Sequence, residues 1–363
     1  MTKLGFSVAA LDAFPLEAPI STPRRNAFGV QTARHALFVR LRLDSGAIGW
    51  GEIFTNWPAF AAPYRAKIVS EVLAPKTVGA SFASPADFWK RLTEDTAQVA
   101  IQCGEAGPFS AAIAGVEIAA WSALAAEQDM ALTDLLGGRQ KPDPVPYASG
   151  LAGATIEALV PPLIEAGWRA FKLKVGFGAE TDRAALKHLR DLVGPNATVM
   201  VDANMAWTPA TARRAIDALA EFDLTWIEEP IRADHPPEDW ARLAASPVPL
   251  AAGENLRGRA AFASVIDAGV TFLQPDPVKW GGLSWCLQIA EMARDAGARF
   301  APHFLGGAVG SVATKALADA GAAAFLECDV TENPLRGQLV SNEDVDFEQI
   351  LERFARVVRT PPS

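Results

Sequence analysis

Three carboxylates are evenly spaced in the second half of this 363-residue chain, and each one closes a short apolar segment. Asp202, Glu228 and Glu254 follow one another at intervals of 26 residues, about the length of one strand and one helix. This spacing predicts that each acid ends one of three consecutive parallel strands, and in a (β/α)₈ barrel those ends share one rim. Three oxygen ligands on one rim suit a hard divalent cation such as Mg²⁺. A single acid after a strand usually caps the next helix, but three at equal spacing favour a metal site.

Two lysines and one histidine near these acids could move protons. Lys172 and Lys174 lie two residues apart in a predicted strand, so both ammonium groups should point into the barrel mouth. Mutual repulsion and burial are expected to lower a lysine pKa, which makes the two side chains candidate general bases. His303 and Asp276 end neighbouring strands, so the carboxylate can orient the imidazole. Glu327 on the last strand faces the same cavity. This arrangement suits removal of a proton next to a carboxylate.

The elements that would position these residues alternate between strands and helices, which indicates a parallel barrel. The eight strand candidates are Val145–Gly150, Ala170–Val175, Thr198–Asn204, Leu224–Pro230, Pro249–Asn255, Thr271–Val278, Ala298–His303 and Ala324–Asp329. A doubly wound fold is the alternative. Its Gly-x-Gly-x-x-Gly fingerprint is incomplete, because Gly176 and Gly178 start the pattern and Thr181 stands at the third glycine position.

The chain before the barrel has an antiparallel pattern followed by helices. Phe6–Phe14, Ala36–Asp44 and Ile48–Ile53 are predicted strands, and the last two form a hairpin. The segment from Ser21 to Arg34 is predicted to be a loop. Helical spacing then occurs in three segments, which are Tyr64–Leu73, Pro85–Thr96 and Ala111–Glu127.

Composition excludes some classes of function. Half of the residues are hydrophobic and 21% are charged, which is ordinary for a globular protein. The net charge of −9 argues against a nucleic acid partner. The three cysteines have no metal-finger spacing, and their odd number fits a reducing cytoplasm. The N-terminus lacks a signal-peptide pattern and no run approaches the length of a membrane span, so a cytoplasmic protein without a membrane partner is expected.

Several motifs together resemble the mandelate racemase branch of the enolase superfamily. These motifs are Lys-x-Lys, Asp-x-Asn, Ile-Glu-Glu-Pro, Gly-Glu-Asn, Pro-Asp-x-x-Lys-x-Gly-Gly and Pro-His, within a span from Trp50-Gly51-Glu52 to Glu327. The resemblance implies an α/β fold, with a modified (β/α)₈ TIM barrel over residues 139–330 and an α+β capping domain over residues 1–138. Residues 331–363 would pack on the cap. A helix over Asp344–Val358 ends the chain, so this part of the cap is expected to be shortened. We also expect a homo-oligomer.

The resemblance also implies roles for the residues identified above. The three evenly spaced acids would hold Mg²⁺, and Lys174 would oppose the His303–Asp276 pair as acid/base groups. Lys172 would contact the substrate carboxylate and tune Lys174. Glu327 would donate a hydrogen bond to the developing enediolate, and Asn204 would lie near the substrate or the metal.

The substrate determines the step after proton removal. A small-molecule carboxylate is expected, and family frequency favours dehydration of an acid sugar (an aldonate or aldarate) to a 2-keto-3-deoxy acid. A racemase or epimerase, or a cycloisomerase, would use the same residues. Loops of the cap are expected to choose the substrate through Arg24, Arg25, Asn56 and Trp57, although the two arginines could equally belong to a solvated loop. A non-catalytic binding barrel is the alternative from another class, but such a protein would not need two opposed bases.

Overall fold

The computed structural model describes residues 4–26, 29–336 and 347–354. Its first part is a four-stranded antiparallel sheet with the order β3-β2-β1-β4. The strands are β1 (Phe6–Asn26), β2 (Gly29–Leu43), β3 (Ile48–Ile53) and β4 (Ser81–Phe82). The predicted hairpin is confirmed. The predicted loop from Ser21 to Arg34 is wrong, because β1 and β2 continue to pair as far as Asn26 and Gly29. The backbone groups of this segment are therefore largely satisfied by strand pairing.

The helices of this part pack on the sheet. They are α1 (Ala61–Ile68), a π-helical turn (Val69–Leu73), α2 (Ala74–Thr77), α3 (Pro85–Gln102), α4 (Ala106–Glu127) and α5 (Leu132–Leu135). The three predicted helices are present, and α3 and α4 are longer than predicted. Among the described residues, α4 is the helix long and apolar enough to span a membrane, which corrects the expectation that no run approaches that length. It is a core helix, since 83% of its most apolar window is buried inside the protein.

The second part is a parallel eight-stranded sheet in which the last strand, β12, lies beside the first, β5. Its strands are β5 (Val145–Leu151), β6 (Ala170–Lys174), β7 (Thr198–Asp202), β8 (Ile227–Glu228), β9 (Leu250–Ala252), β10 (Phe272–Leu273), β11 (Arg299–Phe300) and β12 (Phe325–Asp329). A hydrogen bond from Ala324 N to Phe300 O at 2.7 Å bridges the remaining gap. All eight predicted strands are confirmed, and the sheet is a nearly closed barrel.

Seven helices connect the eight strands in the described residues. They are α6 (Ile156–Glu165), α7 (Ala179–Val193), α8 (Pro209–Leu219), α9 (Pro237–Ala244), α10 (Gly258–Asp267), α11 (Gly282–Asp295) and α12 (Ala308–Ala320). The next helix, α13 (Phe347–Phe354), places Leu351 in a small core with Leu16 and Phe38 of the first sheet. The other residues of the predicted helix Asp344–Val358 lie outside the described part. The domain boundaries at residues 138 and 330 and the expected homo-oligomer stay predictions.

A layer of large side chains fills the lower end of the barrel. Trp226 lies at its centre, with ring centroids 5.5 Å from Tyr147, 4.8 Å from Phe272 and 5.1 Å from Phe325. These four residues and the smaller side chains between them are buried. The barrel interior below the strand ends is therefore a packed core, and any ligand must bind above it.

A buried ion pair joins the long hairpin to the end of the barrel. The Arg34 Nη2 atom on β2 donates to Asp329 Oδ2 at 2.8 Å, and Arg336 Nη1 lies 2.9 Å from the same oxygen. Burial raises the pKa of Asp329, but the guanidinium groups of Arg34, Arg24 and Arg336 outweigh it and hold the pKa far below its usual range. Asp329 is therefore ionised at neutral pH and ties the cap to β12.

Loss of this pair is expected to destabilise the fold. Arg34→Met should lower the free energy of unfolding by about 3–5 kcal/mol, because it removes a main partner of a buried carboxylate.

The depressed pKa of Asp329 contributes stability that is fully present above about pH 4, the usual aspartate value, and is lost as the pH falls towards the folded-state pKa. Urea unfolding between about pH 2.5 and 6 should therefore show a shallower acid slope in Asp329→Asn than in the wild type. An identical slope would contradict the assignment.

Candidate active site

The residues singled out from the sequence meet at the C-terminal ends of the barrel strands. Lys174 on β6 pairs with Asp202 on β7, and Asp202 pairs with Glu228 on β8. Residues that pair across parallel strands point to the same face of the sheet, so these three side chains lie inside the barrel. All three are buried, with exposed fractions of 8%, 1% and 1%. The strand register therefore brings the predicted base beside two of the predicted metal ligands.

Both lysines are bound to carboxylates. Lys174 Nζ donates to Asp202 Oδ2 at 2.5 Å, whereas Lys172 Nζ donates to both carboxylate oxygens of Glu228 at 2.8 Å and lies 2.7 Å from Glu327 Oε1. Burial lowers the pKa of Lys172, but Glu228 and Glu327 outweigh it and hold this pKa well above its usual value. The expectation of a lowered lysine pKa is therefore wrong for Lys172, because the surrounding carboxylates outweigh burial.

The predicted pairing of His303 with Asp276 is present. Asp276 Oδ2 lies 2.9 Å from His303 Nδ1, and the backbone N–H of Val278 donates to the other oxygen, Oδ1, at 2.9 Å. The second ring nitrogen, Nε2, lies 3.0 Å from Glu254 Oε2 and 3.7 Å from Glu327 Oε2. Burial lowers the pKa of His303, but Glu254 and Glu327 outweigh it and raise the pKa well above its usual value. Asp276 fixes one edge of the ring, and the other edge faces the cavity.

Asp276→Asn tests whether this carboxylate acts through the ring. We expect the variant to reduce turnover about as much as His303→Asn, because the imidazolium loses its partner and the ring loses its fixed tautomer. The double variant should be little worse than either single one, since residues that act as a unit are not additive. If Asp276 only caps its own turn, stability should fall by about 1 kcal/mol at a near-native rate. Turnover and melting temperature measured on one sample separate these outcomes.

Glu327 is a hydrogen-bond acceptor in this structure. It accepts from Ser149 Oγ at 2.6 Å and from the backbone N–H of Phe304 at 3.2 Å. Burial raises the pKa of Glu327, but Lys172 and His303 outweigh it and lower the pKa. The expectation that Glu327 donates to an enediolate requires a protonated carboxyl group. Without a bound substrate the carboxylate accepts from Ser149 and Phe304, and its role as a donor to the enediolate stays a prediction.

The three evenly spaced acids do not form the tightest cluster of possible metal ligands. Among the described residues, that cluster is Glu254, Asp276 and His303, whose ligand atoms lie within 4.8 Å of one another. Each carboxylate of this cluster contacts a different nitrogen of one imidazole ring. The two nitrogens of the His303 ring point in different directions, so the two carboxylates cannot share one metal ion with this ring. We therefore interpret the cluster as a chain of hydrogen bonds from Asp276 through His303 to Glu254.

The charge of the site nevertheless fits a bound divalent cation. Six carboxylates at the mouth are buried, and they are Asp202, Glu228, Glu229, Glu254, Asp276 and Glu327. The cationic partners described there are Lys172, Lys174, Lys279 and, when protonated, His303. Burial raises the pKa of Glu228 to about 7, and the neighbouring Asp202 also raises it. An excess of buried carboxylate oxygens is the donor set that Mg²⁺ prefers.

Sequence reasoning missed a second group beside Glu254. Asn255 Nδ2 donates to both carboxylate oxygens of Glu229, at 3.0 and 2.8 Å, and to Glu254 Oε1 at 3.1 Å. Lys279 Nζ donates to Asn255 Oδ1 at 2.6 Å. The signals were present in the sequence, because Glu229 is the second glutamate of Ile-Glu-Glu-Pro and Lys279 is the lysine of Pro-Asp-x-x-Lys. Asn255 therefore orients Glu254 through its hydrogen bond, and Lys279 holds Asn255 in place.

The proposed substrate-binding residues have different surroundings. Asn204 is buried, and its Nδ2 donates to Asp202 Oδ2 at 3.1 Å. Asn56 Nδ2 donates to the carbonyl of Leu305 at 2.5 Å, and its neighbour Trp57 is half-buried near the hairpin tip. Arg24 Nη1 donates to Gln31 Oε1 at 3.5 Å on the same hairpin, while the side chain of Arg25 lies outside the described part. Asn204 is thus beside a predicted metal ligand, and Asn56 binds the loop after His303.

Two family models match the chain. The mandelate racemase/muconate lactonizing enzyme N-terminal domain matches residues 11–137, and the enolase C-terminal domain-like model matches residues 156–354. The chain belongs to the mandelate racemase/muconate lactonizing enzyme family of the enolase superfamily. The resemblance seen in the motifs is therefore confirmed, together with the barrel and its capping domain.

Two relatives of known activity are similar over most of their length. D-galactarolactone cycloisomerase of Agrobacterium fabrum is 29% identical over 308 residues, which cover 82% of this chain and 79% of the relative. D-galactonate dehydratase of Verminephrobacter eiseniae is 30% identical over 283 residues, which cover 74% and 71%. The family and these relatives show that this chain is an enzyme of the lyase or isomerase kind.

Solved structures of the family are also similar. A mandelate racemase/muconate lactonizing enzyme from Bordetella bronchiseptica has a TM-score of 0.85 at 39% identity, and the match covers 92% of this chain and 90% of that one. An enolase from Bradyrhizobium, in complex with magnesium and mandelic acid, has a TM-score of 0.79 at 30% identity, with 90% and 89% covered. Magnesium is therefore bound by a structural relative of this chain.

Proposed function

We propose that this enzyme removes the proton α to the carboxylate of an acid sugar and eliminates the β-hydroxyl group, which gives a 2-keto-3-deoxy acid. The observation that supports this most is that two proton-transfer groups each contact a different acid of the predicted metal site. Lys174 Nζ donates to Asp202 Oδ2 at 2.5 Å, and Nε2 of the Asp276-bound His303 lies 3.0 Å from Glu254 Oε2.

The metal proposed for this site is Mg²⁺, held by Asp202, Glu228 and Glu254. Their oxygens are the hard donors that this ion prefers, and a structural relative contains magnesium. When bound, the ion would offset the negative charge that develops on the substrate carboxylate. Asn204 donates to Asp202 and Asn255 donates to Glu254, so both amides would hold ligand oxygens in place.

The residues of this chain would carry out the proton transfers. One face of the substrate α-carbon would lie towards Lys174 and the other towards His303. A neutral Lys174 would take the α-proton, and the electrons of that C–H bond would form the enediolate. The β C–O bond would then break while the protonated His303 gives its Nε2 proton to the leaving hydroxide, so that water departs. Tautomerisation of the remaining enol gives the 2-keto acid.

Cycloisomerisation is the second candidate. It is favoured by the 82% coverage of this chain in the match to a D-galactarolactone cycloisomerase. The first proton transfer would be the same, but the product would have the same mass as the substrate. Racemisation or epimerisation would likewise conserve mass, with reprotonation from the opposite face.

One screen separates these outcomes. The enzyme is incubated with Mg²⁺ in deuterated water and a library of aldonates, aldarates and their lactones, including D-galactonate and D-galactarolactone. Mass spectrometry then follows the loss of water and the uptake of deuterium. Loss of water supports the dehydratase, whereas a new isomer of unchanged composition supports the cycloisomerase, and deuterium uptake at the α-carbon alone supports the racemase. The Lys174→Ala/His303→Asn double variant is the control. The absence of all three signals across the library would contradict the proposal and favour a binding protein.

A further inference from the structure

A glutamate of the cap binds the first turn of a barrel helix. Glu52 on β3 is buried, and its Oε1 and Oε2 atoms accept from the backbone N–H groups of Gly307 at 2.6 Å and Gly310 at 2.8 Å. These groups lie at the start of α12, where backbone N–H groups have no partner within the helix. The N-cap residue is Gly307, which has no side chain to satisfy them. Glu52 therefore caps a helix of the barrel from the other part of the molecule, where the helix dipole favours a negative charge.

A second glutamate does the same for the preceding helix. Glu117 on α4 is fully buried and accepts from the backbone N–H groups of Leu283 at 2.8 Å and Ser284 at 3.0 Å, at the start of α11. Trp121 Nε1 donates to the same carboxylate at 2.8 Å. The contact is tight, because a Cβ atom added at Gly282 would lie 2.1 Å from Glu117 Oε2. We call Glu52 and Glu117 the glutamate pair.

The glutamate pair is carried by one rigid unit. Strand β3 and helix α4 pack backbone against backbone, since a Cβ atom added at Gly51 would lie 1.9 Å from the carbonyl oxygen of Gly115. A Cβ atom at Gly115 would in turn lie 2.3 Å from Ile53 Cγ1. Sliding of the strand along the helix is sterically blocked at these positions. The two carboxylates are therefore held at a fixed separation.

The two capped helices follow the strands that carry the histidine–aspartate pair. Asp276 lies between β10 and α11, and His303 lies between β11 and α12. The two loops also touch each other, because His303 N donates to the carbonyl of Pro275 at 3.1 Å. A shift of either helix start would change the 2.9 Å contact between Asp276 Oδ2 and His303 Nδ1.

We propose that Glu52 and Glu117 are positioning residues that anchor the loops of Asp276 and His303 to the cap and so set the imidazole ring against the substrate. This inference rests on the proposed role of His303 in proton transfer. If the inference holds, the proton transfer by His303 requires an intact cap.

The Lys174 side provides a matched control. Asp182 on α7 accepts from the backbone N–H groups of Gly176 at 2.9 Å and Phe177 at 3.1 Å, in the loop that follows Lys174. Asp182 therefore holds the loop that follows Lys174, in the same way that the glutamate pair holds the loops of Asp276 and His303. Asp182→Asn changes a buried carboxylate to an amide, as Glu52→Gln and Glu117→Gln do, but on the Lys174 side of the cavity.

The first test is spectroscopic and needs no substrate. Burial raises the pKa of both glutamates to about 7, so Mg²⁺-loaded protein is studied at about pH 8.5, where both are ionised. The low-field proton resonance of His303 Nδ1–H is assigned by its loss in His303→Asn. We expect it to shift or broaden in Glu52→Gln and Glu117→Gln and to be unchanged in Asp182→Asn. An unchanged resonance in both glutamine variants would overturn the inference.

The second test uses a substrate from the deuterium screen and follows the two steps separately. Glu52→Gln and Glu117→Gln should slow the loss of water, which uses the His303 proton, by up to about 10²-fold, since misplacement of about 1 Å can cost that much. Exchange of the α-hydrogen, which uses Lys174, should hardly change in these variants, whereas Asp182→Asn should slow it. Equal slowing of both steps by the glutamine variants, in step with a lower melting temperature, would show a merely structural role and overturn the inference.

If a glutamine variant does not fold, Trp121→Phe removes one donor to Glu117 and leaves the carboxylate in place. It should give a weaker form of the same His303-side defect, and an unperturbed His303 side would contradict the inference. If the wild type exchanges no α-hydrogen, the proposed function fails while the resonance still reports on the glutamate pair.

Discussion

Lys174→Ala and His303→Asn are each expected to reduce turnover by about 10²–10⁴-fold, the usual contribution of a positioned acid or base. Both side chains are buried, and each contacts a predicted metal ligand, since Lys174 binds Asp202 and His303 lies 3.0 Å from Glu254. In a dehydratase, the variant that lacks the leaving-group acid should keep α-hydrogen exchange and lose dehydration. In a racemase, each variant should lose exchange for one enantiomer only. Steady-state turnover and deuterium exchange measure these effects.

Surface pairs of the same chemistry provide controls. His188 Nε2 lies 2.6 Å from Glu157 Oε1, and Lys187 Nζ lies 2.5 Å from Asp191 Oδ2, and all four side chains are largely exposed. His188→Asn and Lys187→Ala should leave turnover at the wild-type level, because exposed ion pairs contribute little. Full turnover in both Lys174→Ala and His303→Asn would refute the assignment of the proton-transfer groups.

Glu254→Gln is expected to weaken Mg²⁺ binding by about 10²-fold or more, since loss of even an indirect partner of a metal ligand often costs 10–100-fold. Turnover should fall with it, and a chelator should remove the activity of the wild type until Mg²⁺ is restored. Calorimetric titration with Mg²⁺ measures the affinity. Glu238→Gln, which changes an exposed carboxylate on α9, is the control and should bind the ion normally.

The same titration decides between two possible ligand sets. If Asp202, Glu228 and Glu254 hold the ion, Asp276→Asn should leave the affinity nearly unchanged. If the cluster of Glu254, Asp276 and His303 holds it, Asp276→Asn should weaken binding as much as Glu254→Gln does. Activity that survives complete removal of divalent ions would contradict both assignments.

The barrel could be predicted from the sequence because each strand is a short apolar segment followed by a helical one. The even spacing of Asp202 and its two partners then placed their side chains at one end of the sheet. The hairpin beyond Ser21 was misjudged, because its strands have no clear alternation and their pairing depends on the partner strand. The glutamate pair was missed for a related reason. Glu52 and Glu117 are 65 residues apart, and their role depends on helix starts in a different part of the molecule.

Charge was harder to predict than position. Lys172 and Lys174 were expected to influence each other, but each is bound to a carboxylate from another strand. The net effect on a buried group depends on every charge within a few ångströms. Such sums need the packed structure, in which Glu229, the second acid of Ile-Glu-Glu-Pro, is also buried at the mouth.

The aromatic layer around Trp226 has a kinetic consequence. Within the described residues it fills the lower end of the barrel, so we expect substrate and product to share an entrance at the opposite end, where the strands end. Substrate and product must use that entrance in turn, and a second molecule cannot enter from behind to displace the first. Product should therefore inhibit competitively against substrate. Departure of the product, and any movement of the cap that it requires, then limits how soon the next substrate can arrive.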